Sequence, residues 1–378
     1  MNTVFSDSAT TIFEAMSQLA KASGAVNLGQ GFPDDPGPVD VRRKAADSVL
    51  DGWNQYAPMM GLPELRQAIA AHYKRFQGLD LDWEKEVMVT SGATEALAGA
   101  LLAILEPGDE VVLFQPMYDA YLPLVRRAGG IPRFVTLRSP GWRISEEDLK
   151  KAFGPKTRAV IFNDPLNPAG TAFPREDLEL LGRYILRYNA VAICDEVWEH
   201  TVFSGPRHQP LMALPGLRER CVKIGSAGKI FSLTGWKVGL VCAAPELMKV
   251  LSKAHQYLTF CTPPNLQSAV AHGLGLGDGY YEGLKNSLRA SHDRLAAGLA
   301  GAGYKVLPSQ ATYFLSVDLG PGADDAAFCA RMVKEARVAA IPVSAFYAED
   351  HQRSIVRFCF AKKDATLDEA LRRLSAWK

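Results

Sequence analysis

C-V-K-I-G-S-A-G-K-I-F-S-L-T-G-W-K-V-G (221–239) is the stretch from which both the fold and the chemistry can be read. It opens on a short strand-like run, CVKIGS (221–226), and passes into a turn of small residues that encloses Lys229. Ser226 lies three residues before that lysine, and a second cation, Lys237, follows it. A lysine in so tight a turn is positioned rather than solvated. Partial desolvation and a neighbouring cation lower its pKa, favouring the free amine that imine formation requires. The segment alone is also open to a plainer reading, an exposed turn with two surface lysines.

The same strand-then-turn pattern recurs through the chain. EVMVT (86–90) leads into small residues and a helix from Glu95 to Leu105, and a PGD turn (107–109) precedes EVVLF (110–114). AVIF (159–162) and AVAICD (190–195) follow helical or turn segments. Short apolar strands spaced by helices predict an α/β fold, a mostly parallel central sheet covered by helices on both faces. Ligands of such sheets sit beyond the carboxyl ends of the strands, so the loops after Thr90, Phe162, Cys194 and Gly225 should converge. The C-terminal part reads as α+β, with a helix of about Tyr280–Ala302, strand patterns TYFLSVDL (312–319) and SIVRFCFA (354–361), and a helix Leu367–Trp377. This divides the chain into a large domain, 38–276, and a smaller one built from the N-terminal arm 1–37 and residues 277–378.

Three further motifs stand at the predicted strand ends. S-G-A-T-E-A-L (91–97) runs into a helix whose free N–H groups would form an anion site, unless Ser91 or Thr94 merely caps it. N-D-P-L-N-P-A-G-T (163–171) is a loop stiffened by two prolines, which places the Asn167 amide at a defined point. Asp195 ends a buried strand, where an unpaired carboxylate is costly, so it needs a cation; a protonated ring nitrogen is one, and a salt bridge or helix cap is the plainer alternative. A phosphate-binding P-loop fails, because its glycine and hydroxyl positions hold Lys223 and Ile230. An acyl-serine reading of Ser226-x-x-Lys229 lacks its S-D-N and K-T-G companions.

Composition excludes other classes. The chain has 378 residues, 48% hydrophobic content, 42 Lys+Arg against 41 Asp+Glu, and a formal charge of +1. With no dense basic run, neither nucleic acid nor a membrane surface is expected as a partner. No 18-residue apolar run is present and MNTVFSDSATTIFEAM does not read as a signal peptide. The six cysteines form no C-x-x-C pair and read as reduced thiols, so a cytoplasmic enzyme without a metal site is expected.

Taken together, these motifs resemble the class I/II aminotransferases of fold type I, which depend on pyridoxal 5′-phosphate. Within them the chain is similar to the kynurenine/glutamine, bacterial methionine and N-succinyldiaminopimelate branch. The resemblance runs from AVNLGQGFPD (25–34) through NQYAPMMGLPELRQAI (54–69) and QPMYDAY (115–121) to the lysine segment and VRFCFAK (356–362). It implies that Lys229 carries the cofactor as a Schiff base and removes the α-proton, that Asp195 holds the ring nitrogen, and that Tyr118 stacks on the ring. Asn167 would reach the ring oxygen and border the substrate. Ala93, Thr94, Ser226 and Lys237 would bind the phosphate, together with Tyr56 of a neighbouring subunit, which implies a homodimer with shared active sites. Arg357 would clamp the α-carboxylate of an amino acid or 2-oxo acid in a two-point pair, aided by the Gly31 backbone. Phe13, Phe32, Tyr118, Phe260 and Phe346 would favour aromatic or methionine-like donors, although core packing accounts for most phenylalanines equally well.

The chain departs from the family pattern at four places. Trp198 stands where a tyrosine usually donates to the ring oxygen, which predicts weaker stabilisation of the ring phenolate and a raised Schiff-base pKa. Cys261, Gln115 and Leu166 replace a common histidine, glutamate and histidine. Two alternatives share the cofactor: a C–S β-lyase acting on sulfur amino acids, and a non-catalytic regulatory protein. Such regulators carry an added DNA-binding domain, whereas this chain starts almost at the family's arm.

Overall fold

The computed structural model describes residues 2–6 and 10–377. Met1, residues 7–9 and Lys378, which the sequence reading assigned to the arm and the smaller domain, lie outside the described residues. A seven-stranded sheet forms the centre, in the order Val87–Thr90, Gly239–Ala243, Cys221–Ser226, Val191–Asp195, Thr157–Asn163, Glu110–Gln115, Ile131–Thr136. Only Gly239–Ala243 runs antiparallel to its neighbours. The structure bears out the mostly parallel α/β expectation and adds two strands the sequence reading passed over, Ile131–Thr136 and Gly239–Ala243.

The apolar runs are continuous because both faces of the sheet are covered. Val112, Phe114, Val160, Phe162 and Cys194 point into one core. Their alternating neighbours Val111, Leu113, Ile161, Ile193 and Ile224 point into the other, packed against Ala96, Leu97, Ala100 and Leu101. These four lie along one face of the helix Ala93–Ile104 at helical spacing. Each large apolar side chain so buried contributes about 1.5–3 kcal/mol. The helix Asp278–Gly301 and a four-stranded antiparallel sheet of Phe314–Asp318, Ile355–Cys359 and two short partners make up the C-terminal part.

Below the strand ends lies a buried ionic network. Lys223, with no solvent exposure, donates to both Glu196 Oε2 and Glu199 Oε2 at 2.6 Å. Tyr73 and Gln77 also donate to Glu199. His208 lies 3.3 Å from both Asp164 and Glu196, in contacts too poorly aligned to be hydrogen bonds. Burial works against charge on each of these groups, yet the Lys223 ammonium and His208 hold Glu196 down to about 2, and Glu196 with Asp164 pushes His208 up to about 9. The network joins the 164 loop, the 196–199 turn and the Cys221–Ser226 strand, and so sets where Asp195 and Lys229 emerge.

Two outcomes follow from these charges. Lys223→Met leaves two carboxylates buried without their cation and lowers unfolding free energy by about 3–5 kcal/mol in urea titration. His208 has a folded pKa above its unfolded value of about 6.5, so its contribution is complete below that pH and is lost as pH rises through about 9. The stability difference between wild type and His208→Gln therefore shrinks across that range.

Candidate active site

A cavity of about 300 Å³ opens at the carboxyl ends of the central strands. Lys229 enters it from the short helix Ala227–Ile230, whose backbone is anchored where Tyr313 Oη donates to Lys229 O at 2.8 Å. Lys229 Nζ donates to Gly31 O at 3.2 Å and lies 4.4 Å from the centroid of the Trp198 ring. Burial pushes this amine down to about 8; Cys359 and Asp195 oppose the shift, while Arg357 and Lys237 add to it. About a tenth of the amine is then free at pH 7, several hundred-fold more than at the ordinary lysine value.

Asp195 faces Lys229 across the cavity. Tyr121 Oη donates to Asp195 Oδ2, while Oδ1 is buried and has no hydrogen-bond partner among the described residues. Burial pushes the carboxyl up to about 6, against the hydrogen bonds from Tyr121 and the Val197 N–H and the charge of Lys229. A buried carboxylate oxygen without a partner is what a cationic N–H would satisfy.

Asn163 holds the loop that carries Asn167. Its Nδ2 donates to Asp195 O at 2.8 Å, and its Oδ1 accepts from the Asn167 N–H at 2.9 Å. Asn167 Oδ1 accepts from Arg357 Nη1 at 2.9 Å, leaving Asn167 Nδ2 as the amide's donor. Arg357, on the strand Ile355–Cys359, is fully buried, and its Nη2 donates to Gly29 O at 2.6 Å. Its guanidinium carbon sits 3.8 Å from the Phe314 ring centroid and 5.2 Å from those of Phe13 and Phe346. Burial pushes Arg357 down to about 9, against Cys359 and Asp119.

At the far end, the helix Ala93–Ile104 begins at Gly92 with no side chain capping it, so neither Ser91 nor Thr94 plays the capping part. Its first N–H groups lack intrahelical partners and favour an anion. Gly92 has φ +82, and a Cβ there would come within 3.0 Å of Lys237 Cε. Glycine thus lets the Lys237 ammonium stand over the helix start, beside Ser226.

All the predicted site residues line this cavity except Tyr56, which is 82% exposed and packs edge-on against Phe260. Gly31 lines it, its carbonyl accepts from the Lys229 amine, and Gly29 O accepts from Arg357 Nη2. Of the proposed apolar pocket, Phe13 and Tyr118 line the cavity. Phe346 packs behind Arg357, Phe32 covers Lys362, and Phe260 is 40% exposed. Among the departures, Leu166 is core, Cys261 does not line the cavity, and Gln115 braces the 348–349 turn by bonds to Ala348 N and Glu349 O. Tyr121, Asn163 and Phe314 went unread. Tyr121 lies in the quoted QPMYDAY run, Asn163 opens the quoted proline loop and Phe314 lies in the quoted strand pattern, so each was in view without a partner to mark it.

The chain matches the family model "Aminotransferase class I and II" over residues 23–374. It is 46% identical to a probable N-succinyldiaminopimelate aminotransferase of Mycobacterium tuberculosis, covering 97% of this chain and 96% of the relative. It is 41% identical to the methionine aminotransferase of Escherichia coli, with 97% and 95% covered. The solved structure of the M. tuberculosis N-succinyldiaminopimelate aminotransferase superimposes with a TM-score of 0.96 at 45% identity, covering 100% of this chain and 99% of that one.

Of the two glycines lining the cavity, Gly31 has less room than Gly92: a Cβ there would lie 2.5 Å from Phe314 Cζ. Gly31→Ala should displace that ring from beneath Arg357 and raise the dissociation constant of a small carboxylate by about tenfold, measured by calorimetry.

Proposed function

Because the chain belongs to the class I and II aminotransferases and transfers amino groups between amino acids and 2-oxo acids, we propose that it uses pyridoxal 5′-phosphate held covalently by Lys229. Members of this family depend on that cofactor. One observation carries the assignment: a half-buried lysine amine, a buried carboxylate with an unsatisfied oxygen and a buried guanidinium face one cavity. The donor set fits the cofactor at each end. Asp195 Oδ1 would take the ring nitrogen, Asn167 Nδ2 the ring oxygen, and the open helix start with Ser226 and Lys237 the phosphate.

Pyridoxal phosphate, when bound, supplies an electron sink for the α-carbon of an amino acid. The chain's own groups do the rest. Arg357 binds the α-carboxylate and orients the α-hydrogen towards Lys229. Lys229 Nζ would take that proton and later give it back, base and acid on a single arm. Asp195 would hold the ring nitrogen in its protonated form. Trp198 lays its indole face against the Lys229 amine and closes that side to water.

We further propose an L-amino acid donor with an aromatic or methionine-like side chain, on the apolar walls of Phe13, Tyr118 and Phe314. The names of the relatives, which span N-succinyldiaminopimelate, methionine and kynurenine, leave that choice to the pocket. The chain is proposed to divide into 38–276, around the large sheet, and 1–37 with 277–378, around the small one. A homodimer is part of this proposal, supported by the exposed apolar side chains Leu50, Trp53, Tyr56 and Tyr257, and Tyr56 would reach the phosphate site of a second copy. Six free cysteines fit the reducing cytoplasm, and among the described residues no helix is long and apolar enough to cross a membrane.

Wild type should show a Lys229-dependent imine absorbance band and exchange amino groups between methionine or phenylalanine and a 2-oxo acid. Release of pyruvate and ammonia from a sulfur amino acid in place of exchange would select the C–S lyase instead. Lys229→Ala should lose both band and activity; a variant with unchanged activity overturns the reading. Trp198→Tyr, which restores a hydroxyl near the ring oxygen, should lower the midpoint of the band's pH titration.

A further inference from the structure

Tyr121 is the first residue of the helix Tyr121–Arg127 and is 2% exposed. Its ring meets that of Tyr118 edge-on, with centroids 5.7 Å apart, and its N–H donates to Tyr118 O. One turn of chain therefore presents two aromatic side chains with different duties. Tyr118 lines the cavity as a flat wall, while Tyr121 turns its hydroxyl onto Asp195 Oδ2. Asp195 Oδ1 is left without a partner among the described residues.

We propose that Tyr121 is a positioning residue: its hydrogen bond to Oδ2 aims Oδ1 at the ring nitrogen of bound pyridoxal phosphate and keeps their shared proton on the ring. This rests on the cofactor assignment above. A carboxylate that already accepts a hydrogen bond is a weaker base at its other oxygen. Asp195 is deeply buried, and apart from Tyr121 its ionised form is supported by the Val197 N–H and the charge of Lys229. Without the phenol, the carboxylate becomes more basic and draws the proton off the ring, weakening the electron sink. Burial and the adjacent carboxylate push the phenol well above its ordinary value, so it remains a donor. Nothing about packing requires the oxygen. Phenylalanine would fill the same space and lose only the donor.

The test compares wild type with Tyr121→Phe, and pyridoxal phosphate with its 1-deaza analogue, in which carbon replaces the ring nitrogen. Tyr121→Phe should raise the dissociation constant of pyridoxal phosphate from the apoenzyme about tenfold or more and leave that of the 1-deaza analogue unchanged. In the holoenzyme, kcat should fall by a similar factor with KM for the amino acid held. In an Asp195→Asn background the Tyr121 substitution should add nothing. Equal losses with both cofactors would show a packing role only, and no loss with either would show an idle contact; each overturns the proposal while the aminotransferase reading stands. A wild type that takes up neither compound overturns both.

Discussion

Lys223, buried between Glu196 and Glu199, is the interaction on which the rest of the site depends. Taking three charged groups out of water is expensive, and their mutual attraction repays this only with close geometry and every lone pair engaged. Here the 2.6 Å contacts, the donors Tyr73 and Gln77, and the Leu211 N–H on Glu196 supply that geometry. An apolar core of equal volume would hold the sheet together as well. It would not fix the turn after Asp195 at one rotation, because apolar contacts are not directional. The network spans two adjacent strand ends, and the cavity's carboxylate and amine emerge from those same strands.

The cavity balances its charges differently. Burial drives Lys229, Arg357 and Asp195 each towards the neutral form, to about 8, 9 and 6. A ligand with a ring cation at one end and carboxylate at the other opposes the shifts of Asp195 and Arg357. Lys229 is the group for which the shift is useful in itself, since a free amine is the reactive form. The same desolvation thus readies the lysine for attack and gives the arginine and aspartate a strong preference for charged partners.

Aromatic rings set the remaining orientation. Phe314 lies under the Arg357 guanidinium and against Gly31, while Trp198 meets both Tyr313 and Phe314 edge-on. The relatives' names cover several substrates on one fold, so the scaffold alone does not choose among them. In this chain the apolar walls of the cavity are Phe13, Tyr118, Trp198 and Phe314.

The sequence by itself marked five of the seven central strands, the loops that end them, and Lys229, Asp195, Asn167 and Arg357 as the residues that one cavity gathers. Those signals are local: a two-sided apolar run, a small-residue turn and a carboxylate at a strand's end each fit within a few residues. The tertiary structure alone decided the antiparallel placement of Gly239–Ala243, the pairing of Gly29 O with Arg357 and of Gly31 O with Lys229, and the exclusion of Phe32, Phe260 and Phe346 from the cavity wall. It also decided that Tyr121, 74 positions from Asp195, donates to it. Burial leaves a periodic trace along the chain, whereas a contact between distant side chains depends on sheet register and rotamer, which no local pattern encodes.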